Sequence, residues 1–81
     1  MRPKRLDLKA FQAIKSFIQR KGYSPTLAEL SKALGVRSKM AAQVATARLC
    51  AFGWIDRDDN VARSMRILRE PNDLEVQEAK E

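Results

Sequence analysis

Apolar positions recur at helical spacing through the first two thirds of the chain and then alternate briefly. Leu8, Phe11, Ile14 and Ile18 keep a three-to-four-residue interval, with Ala10 and Phe17 beside them. Lys9, Gln12, Lys15 and Gln19 take the other faces. This is one amphipathic helix. It is expected to begin near Asp7, a cap or first-turn acid, and to stop at Arg20-Lys21-Gly22, where cations and a glycine suit a helix end. After the link Tyr23-Ser24-Pro25, Leu27, Leu30 and Leu34 mark one face of a short second helix. Thr26 and Glu29 have the spacing of a capping box, and Pro25 can pack on Leu30 as a hydrophobic staple. Gly35 offers the stop, Val36 and Arg37 make a turn, and Ser38 is placed to cap a third helix. Neither Gly nor Pro then interrupts the chain until Gly53.

At about 100° per residue the third helix divides into two faces. Ala42, Ala45, Leu49 and Phe52 should meet the core, with Met40, Gln43, Val44, Ala47 and Ala51 opposite. A short helix, a tight turn and a longer helix with a free outer face make a helix-turn-helix. In its DNA-binding versions the start of the second of these helices enters the major groove. Gly53-Trp54-Ile55-Asp56-Arg57 then becomes extended, Asp58-Asp59-Asn60 has turn chemistry, and Val61 to Leu68 is expected to return as a second strand. Helices followed by a hairpin predict an α+β, mainly α, winged helix-turn-helix in residues 1–69. Residues 70–81 change character. Pro71 ends the strand, and the acidic remainder is expected as a disordered tail or a linker stub. The other reading is a short helix capped by Asn72 that packs on the body, or on a second protomer through Leu74 and Val76.

Composition narrows the function. With 81 residues there is room for one small core. No apolar run approaches the roughly 20 residues needed to cross a bilayer, and no apolar segment follows the basic start, so neither a membrane nor a secretory address is expected. The single cysteine, Cys50, has no partner for a disulfide, which fits a reducing cytoplasm. Without histidine and with one cysteine, no zinc site is expected. No nucleophile–base pair, phosphate loop or paired carboxylates in a cleft is legible, so an enzyme is not expected, nor a cofactor or small-molecule ligand. Net charge is +6, split as +10 over residues 1–69 and −4 over residues 70–81. A cationic body of this size points to a polyanion, most simply double-stranded DNA.

The candidate base-reading residues lie on the third helix: Lys39, Met40, Ala41, Gln43, Val44 and Ala47. Gln43 can pair bidentately with adenine, and Met40, Val44 and Ala47 can meet thymine methyls. The expected phosphate contacts are Thr26 and Ser38 at helix starts, Arg37 beside the turn, Arg48 on the flank, and Arg57 and Arg63 on the wing. Lys39 is also placed for a phosphate. The apolar outer face of the same helix supports a different class of function. A winged-helix interaction module, of a phage or plasmid kind, would use it to bind a host repressor or polymerase subunit.

Residues 8–68 also resemble the N-terminal DNA-binding domain of LexA, the bacterial SOS-response repressor. The resemblance is carried by Phe11, Ile14 and Ile18, by Gly22-Tyr23-Ser24-Pro25-Thr26 and by Ala28-Glu29-Leu30. It continues through Leu34-Gly35-Val36-Arg37-Ser38, Ala41-Ala42, Leu49, Gly53-Trp54-Ile55-Asp56 and Arg63-Ser64-Met65-Arg66-Ile67-Leu68. It implies a winged helix that binds DNA as a transcriptional regulator. At the start of the third helix the family is richer in polar and acidic residues. Only Ala41 looks family-like there, and Gln43 stands where the family has an acid. The family's operator is therefore not expected to carry over. The family's self-cleaving peptidase domain, with its Ser-Lys dyad, has no counterpart in these residues, so self-cleavage is not expected of them. Pairing of two copies on a palindromic site would need another source of dimer contacts.

Overall fold

The computed structural model describes residues 1–81. Its elements are α1 (Arg5–Lys21), α2 (Leu27–Leu34), α3 (Lys39–Phe52), β1 (Ile55–Asp56), β2 (Arg66–Ile67) and α4 (Asp73–Lys80). The strands pair antiparallel, with Ile55 opposite Ile67 and Asp56 opposite Arg66. Three helices followed by a small hairpin form the expected winged helix-turn-helix.

The helix ends follow their local chemistry. At the start of α2, the Glu29 amide donates to Thr26 Oγ1 at 3.1 Å and the Thr26 amide donates to Glu29 Oε1 at 2.9 Å. Gly35 stops the helix in the left-handed region, at φ 71°, which residues with a Cβ rarely adopt. Ser38 then caps α3 by accepting from the Ala41 amide at 3.3 Å. These devices turn the chain sharply between α2 and α3 and fix the entry of the longer helix.

The core joins Ala10, Phe11 and Ile14 of α1 to Leu30 and Leu34 of α2 and to Ala42, Ala45 and Leu49 of α3, closed by Trp54, Ile55 and Met65. Trp54 is fully buried, with Phe11 edge-on at 5.9 Å and Phe52 tilted at 4.9 Å. Burying each large side chain contributes about 1.5–3 kcal/mol, so this cluster is the main source of cohesion.

Three features depart from the sequence expectations. α1 begins at Arg5, two residues before Asp7, which is a first-turn acid as expected and accepts from the Lys4 amide at 2.7 Å. Asp7 is also only 1% exposed. Arg48 of α3 reaches it, Nε at 3.0 and 3.1 Å from the two carboxylate oxygens and Nη2 at 2.8 Å. These bonds push the Arg48 guanidinium pKa further up. The second departure is the length of the return strand. Val61–Met65 is irregular loop with a turn at Ala62–Arg63 rather than strand, because Asn60 and Arg63 adopt positive φ and Ser64 Oγ bonds the carbonyls of Asp58 and Val61.

The third is the tail. Where a disordered segment or linker stub was expected, Asp73–Lys80 forms α4 against α1, capped by Asn72 and burying Ala79. Glu75 explains the docking. It accepts from the Trp54 indole N–H at 3.0 Å and from both Nη atoms of Arg69 at 2.8 and 2.9 Å. An isolated helix this short is marginal, so tertiary bonds hold it. The arm joins in, with Arg2 pairing with Glu78 and Glu81 and Arg5 donating to the Lys80 carbonyl.

Two outcomes follow for stability. Asp7→Ala orphans Arg48, whose side chain is still 20% exposed, so urea unfolding should show a loss of about 2–3 kcal/mol, near the low end for a broken buried pair. The second concerns acid. Bonds from Arg69, and then from the Asn72 amide and the Trp54 indole, lower the Glu75 pKa from 4.5 to about 2. The unfolded chain therefore takes up this proton first, and the stabilisation, present above pH 4.5, is lost as pH falls towards 2. Urea titrations across that range should show Glu75→Gln flattening the fall.

Candidate nucleic-acid interface

α3 has two differently employed halves. Its carboxyl half is anchored by Leu49 in the core, by Arg48 on Asp7 and by Thr46, which is fully buried. Its amino half buries Ala42 and Ala45 and keeps its outer face free. Met40 is 65% and Val44 53% exposed, with Gln43 and Ala47 exposed beside them and Ala41 half-buried.

Charge makes the same distinction. α1 carries Asp7 in its first turn, α2 carries Glu29 and α4 carries Asp73 and Glu75, whereas the first turn of α3 has no acid. Its partial positive charge is uncompensated, and Arg37 and Lys39 stand exposed beside it with no ion-pair partner in the chain. A cleft of about 440 Å³ opens next to this end. Thr26 and Ala28 of the α2 start, Lys39 and Gln43 of α3, and Asn60 and Arg63 of the wing line it.

Three arginines expected on phosphates are instead engaged within the chain. Arg48 holds Asp7, donates to the Arg2 carbonyl at 2.7 Å and lies over the Phe52 ring. Arg57 donates to Thr46 Oγ1 at 3.1 Å. Arg63 donates to the Ser24 carbonyl at 3.1 Å and to Glu29 at 2.9 Å, and stacks 4.6 Å above the Tyr23 ring. These partners pull each guanidinium back towards the body, because a charge-assisted bond or aromatic face nearby outcompetes open solvent. The wing is also partly self-neutralised, since Arg66 pairs with Asp56 and Asp58. Thr26 and Ser38 use their hydroxyl oxygens as caps and keep their O–H donors. Ser24 was missed by sequence reasoning. It is buried, accepts from the Met65 amide at 3.2 Å and so ties the wing to the α1–α2 corner.

A family model described as the LexA DNA binding domain matches residues 5–64, which takes in α1, α2, α3, β1 and nearly all of the wing loop. The chain belongs to the LexA DNA-binding domain family. LexA repressor 2 of Pseudomonas putida is 35% identical over 77 residues, covering 91% of this chain and 37% of that protein. The LexA repressor of Bacillus licheniformis is 33% identical over 73 residues, covering 90% of this chain and 34% of that protein. The chain thus spans little more than a third of the length of these LexA relatives. Within this LexA-type domain, the amino half of α3 keeps its outer face exposed.

Arg63 sits at φ 56° and is held there by its side-chain partners. Arg63→Ala should therefore loosen the wing, seen as several-fold faster limited proteolysis between residues 57 and 65 with little change in far-UV circular dichroism.

Proposed function

We propose that this chain is a sequence-specific double-stranded-DNA-binding domain of a transcriptional regulator, rather than an enzyme, and that it presents the amino half of α3 to the major groove. The observation that carries this is the unpaired positive end of α3, with Arg37 and Lys39 beside it and Gln43 on the same exposed side. An anion at that end meets free backbone amides, the helix dipole and two cations together. Membership of the LexA DNA-binding family supports the same polyanion.

In this reading Lys39, Met40, Ala41, Gln43, Val44 and Ala47 meet base edges. Arg37, Lys39, Ser38 and Thr26 take phosphates on either side of the cleft. Arg48, Arg57 and Arg63 serve indirectly, by setting the angle of α3 and the position of the wing. Two copies on a palindromic site would double the contacts of one small module. No helix is long and apolar enough to cross a membrane. A cytoplasmic setting suits Cys50, whose half-buried thiol is pushed up in pKa by desolvation and is poorly reactive.

A salt titration tests the proposal. With Arg37 and Lys39 neutralising about two phosphates, the logarithm of affinity for a selected duplex should fall with the logarithm of salt at a slope of roughly −2. Arg37→Ala or Lys39→Ala should weaken all duplexes alike and reduce that slope by about one. Gln43→Ala should cost roughly tenfold on the preferred duplex, leave the slope unchanged and relax base choice. A flat salt response without sequence enrichment would overturn the reading.

A further inference from the structure

Met40 and Val44 have no structural reason to be apolar. The core closes without them, and they stand exposed on the outer face of α3. They are four residues apart, hence neighbours one turn along the same helix face, with Gln43 beside them. No acidic residue occurs between Arg37 and Ile55. A carboxylate is the side chain suited to accept from the cytosine amino group, so this face offers little for a G·C pair to bind through cytosine.

We infer that Met40 and Val44 determine specificity by packing on thymine C5-methyl groups, so that the base pairs they meet are read as A·T. This rests on the DNA-binding reading above. The thymine methyl is the apolar group that base edges display in the major groove, and only an apolar side chain gains by covering it. Gln43 complements the pair from its other side, because its amide matches the acceptor and donor of adenine. The four-residue interval advances about 6 Å along the helix, a reach of one to two base-pair steps. The two methyl contacts thus fall on neighbouring or next-neighbouring pairs. Ala47, small and exposed on the same side, leaves room for the approach.

The test replaces thymidine by deoxyuridine, which deletes the methyl and keeps every hydrogen-bonding atom. The full chain is first used to select a duplex from a random thymidine library. The selected duplex is then remade with deoxyuridine at its thymidine positions, and both forms are titrated. The wild-type chain should bind the deoxyuridine form about fourfold more weakly per methyl lost, so roughly 15-fold for two. In Met40→Ala/Val44→Ala, checked by circular dichroism for an intact fold, the two forms should bind equally. Gln43→Ala should bind less tightly yet retain the difference. Equal wild-type affinity for both forms would overturn the inference and leave DNA binding standing. A difference that persists in the double variant would overturn the assignment to these residues. Failure of the library to enrich any duplex would remove the DNA-binding reading itself, and this inference with it.

Discussion

The bidentate pair between Arg48 and Asp7 is the constraint on which the rest of this small domain depends. It joins α3 to the first turn of α1 across 41 positions of sequence, with the carboxylate buried. A buried carboxylate is tolerable only when its oxygens are satisfied, and here three guanidinium contacts and the Lys4 amide do so. The same guanidinium covers Phe52, which leans on Trp54. The angle of α3 is therefore set by a directional polar contact as well as by the non-directional core. A hydrophobic contact alone would let the helix slide or roll; two parallel N–H bonds to one carboxylate do not.

That constraint divides the labour along α3. Its carboxyl half keeps its cation inside, and its amino half keeps its outer face, a first turn without an acid, and its cations free. The wing follows the same economy. Arg57, Arg63 and Arg66 each have an internal partner, so the hairpin is held in place more than it is charged. A formal charge of +6 consequently overstates the wing and understates the α3 start, where Arg37 and Lys39 reinforce a helix end with no acid. Counting charges along the chain could not reveal this, because pairing depends on distances that only the fold supplies.

Much of the architecture was legible in local chemistry. The Thr26–Glu29 box, the Ser38 cap, the stop at Gly35 and the three-to-four spacing of Leu27, Leu30 and Leu34 each act within a few residues, so sequence order reports them. The two faces of α3 were legible for the same reason. The roles of Arg48, Arg57 and Arg63 were not, because an arginine looks alike whether it faces solvent or a carboxylate many positions away. Nor was α4. Its segment is acidic and short enough to read as a tail, and its order depends on Glu75 meeting Trp54 and Arg69 and on Arg2 meeting Glu78 and Glu81. The shortened return strand had a comparable cause, since nothing local announces a left-handed Arg63.

The central claim is that folding consumes the inner face and the carboxyl half of α3 and offers the outer face of its amino half to a duplex. Amide chemical-shift mapping by nuclear magnetic resonance, with a selected duplex added to the labelled chain, tests it most directly. The account predicts the largest changes from Thr26 to Glu29 and from Arg37 to Ala47, with the Arg48 and Asp7 signals little moved. Changes centred on α4 and the outer face of α1, with the α3 start unmoved, would contradict it.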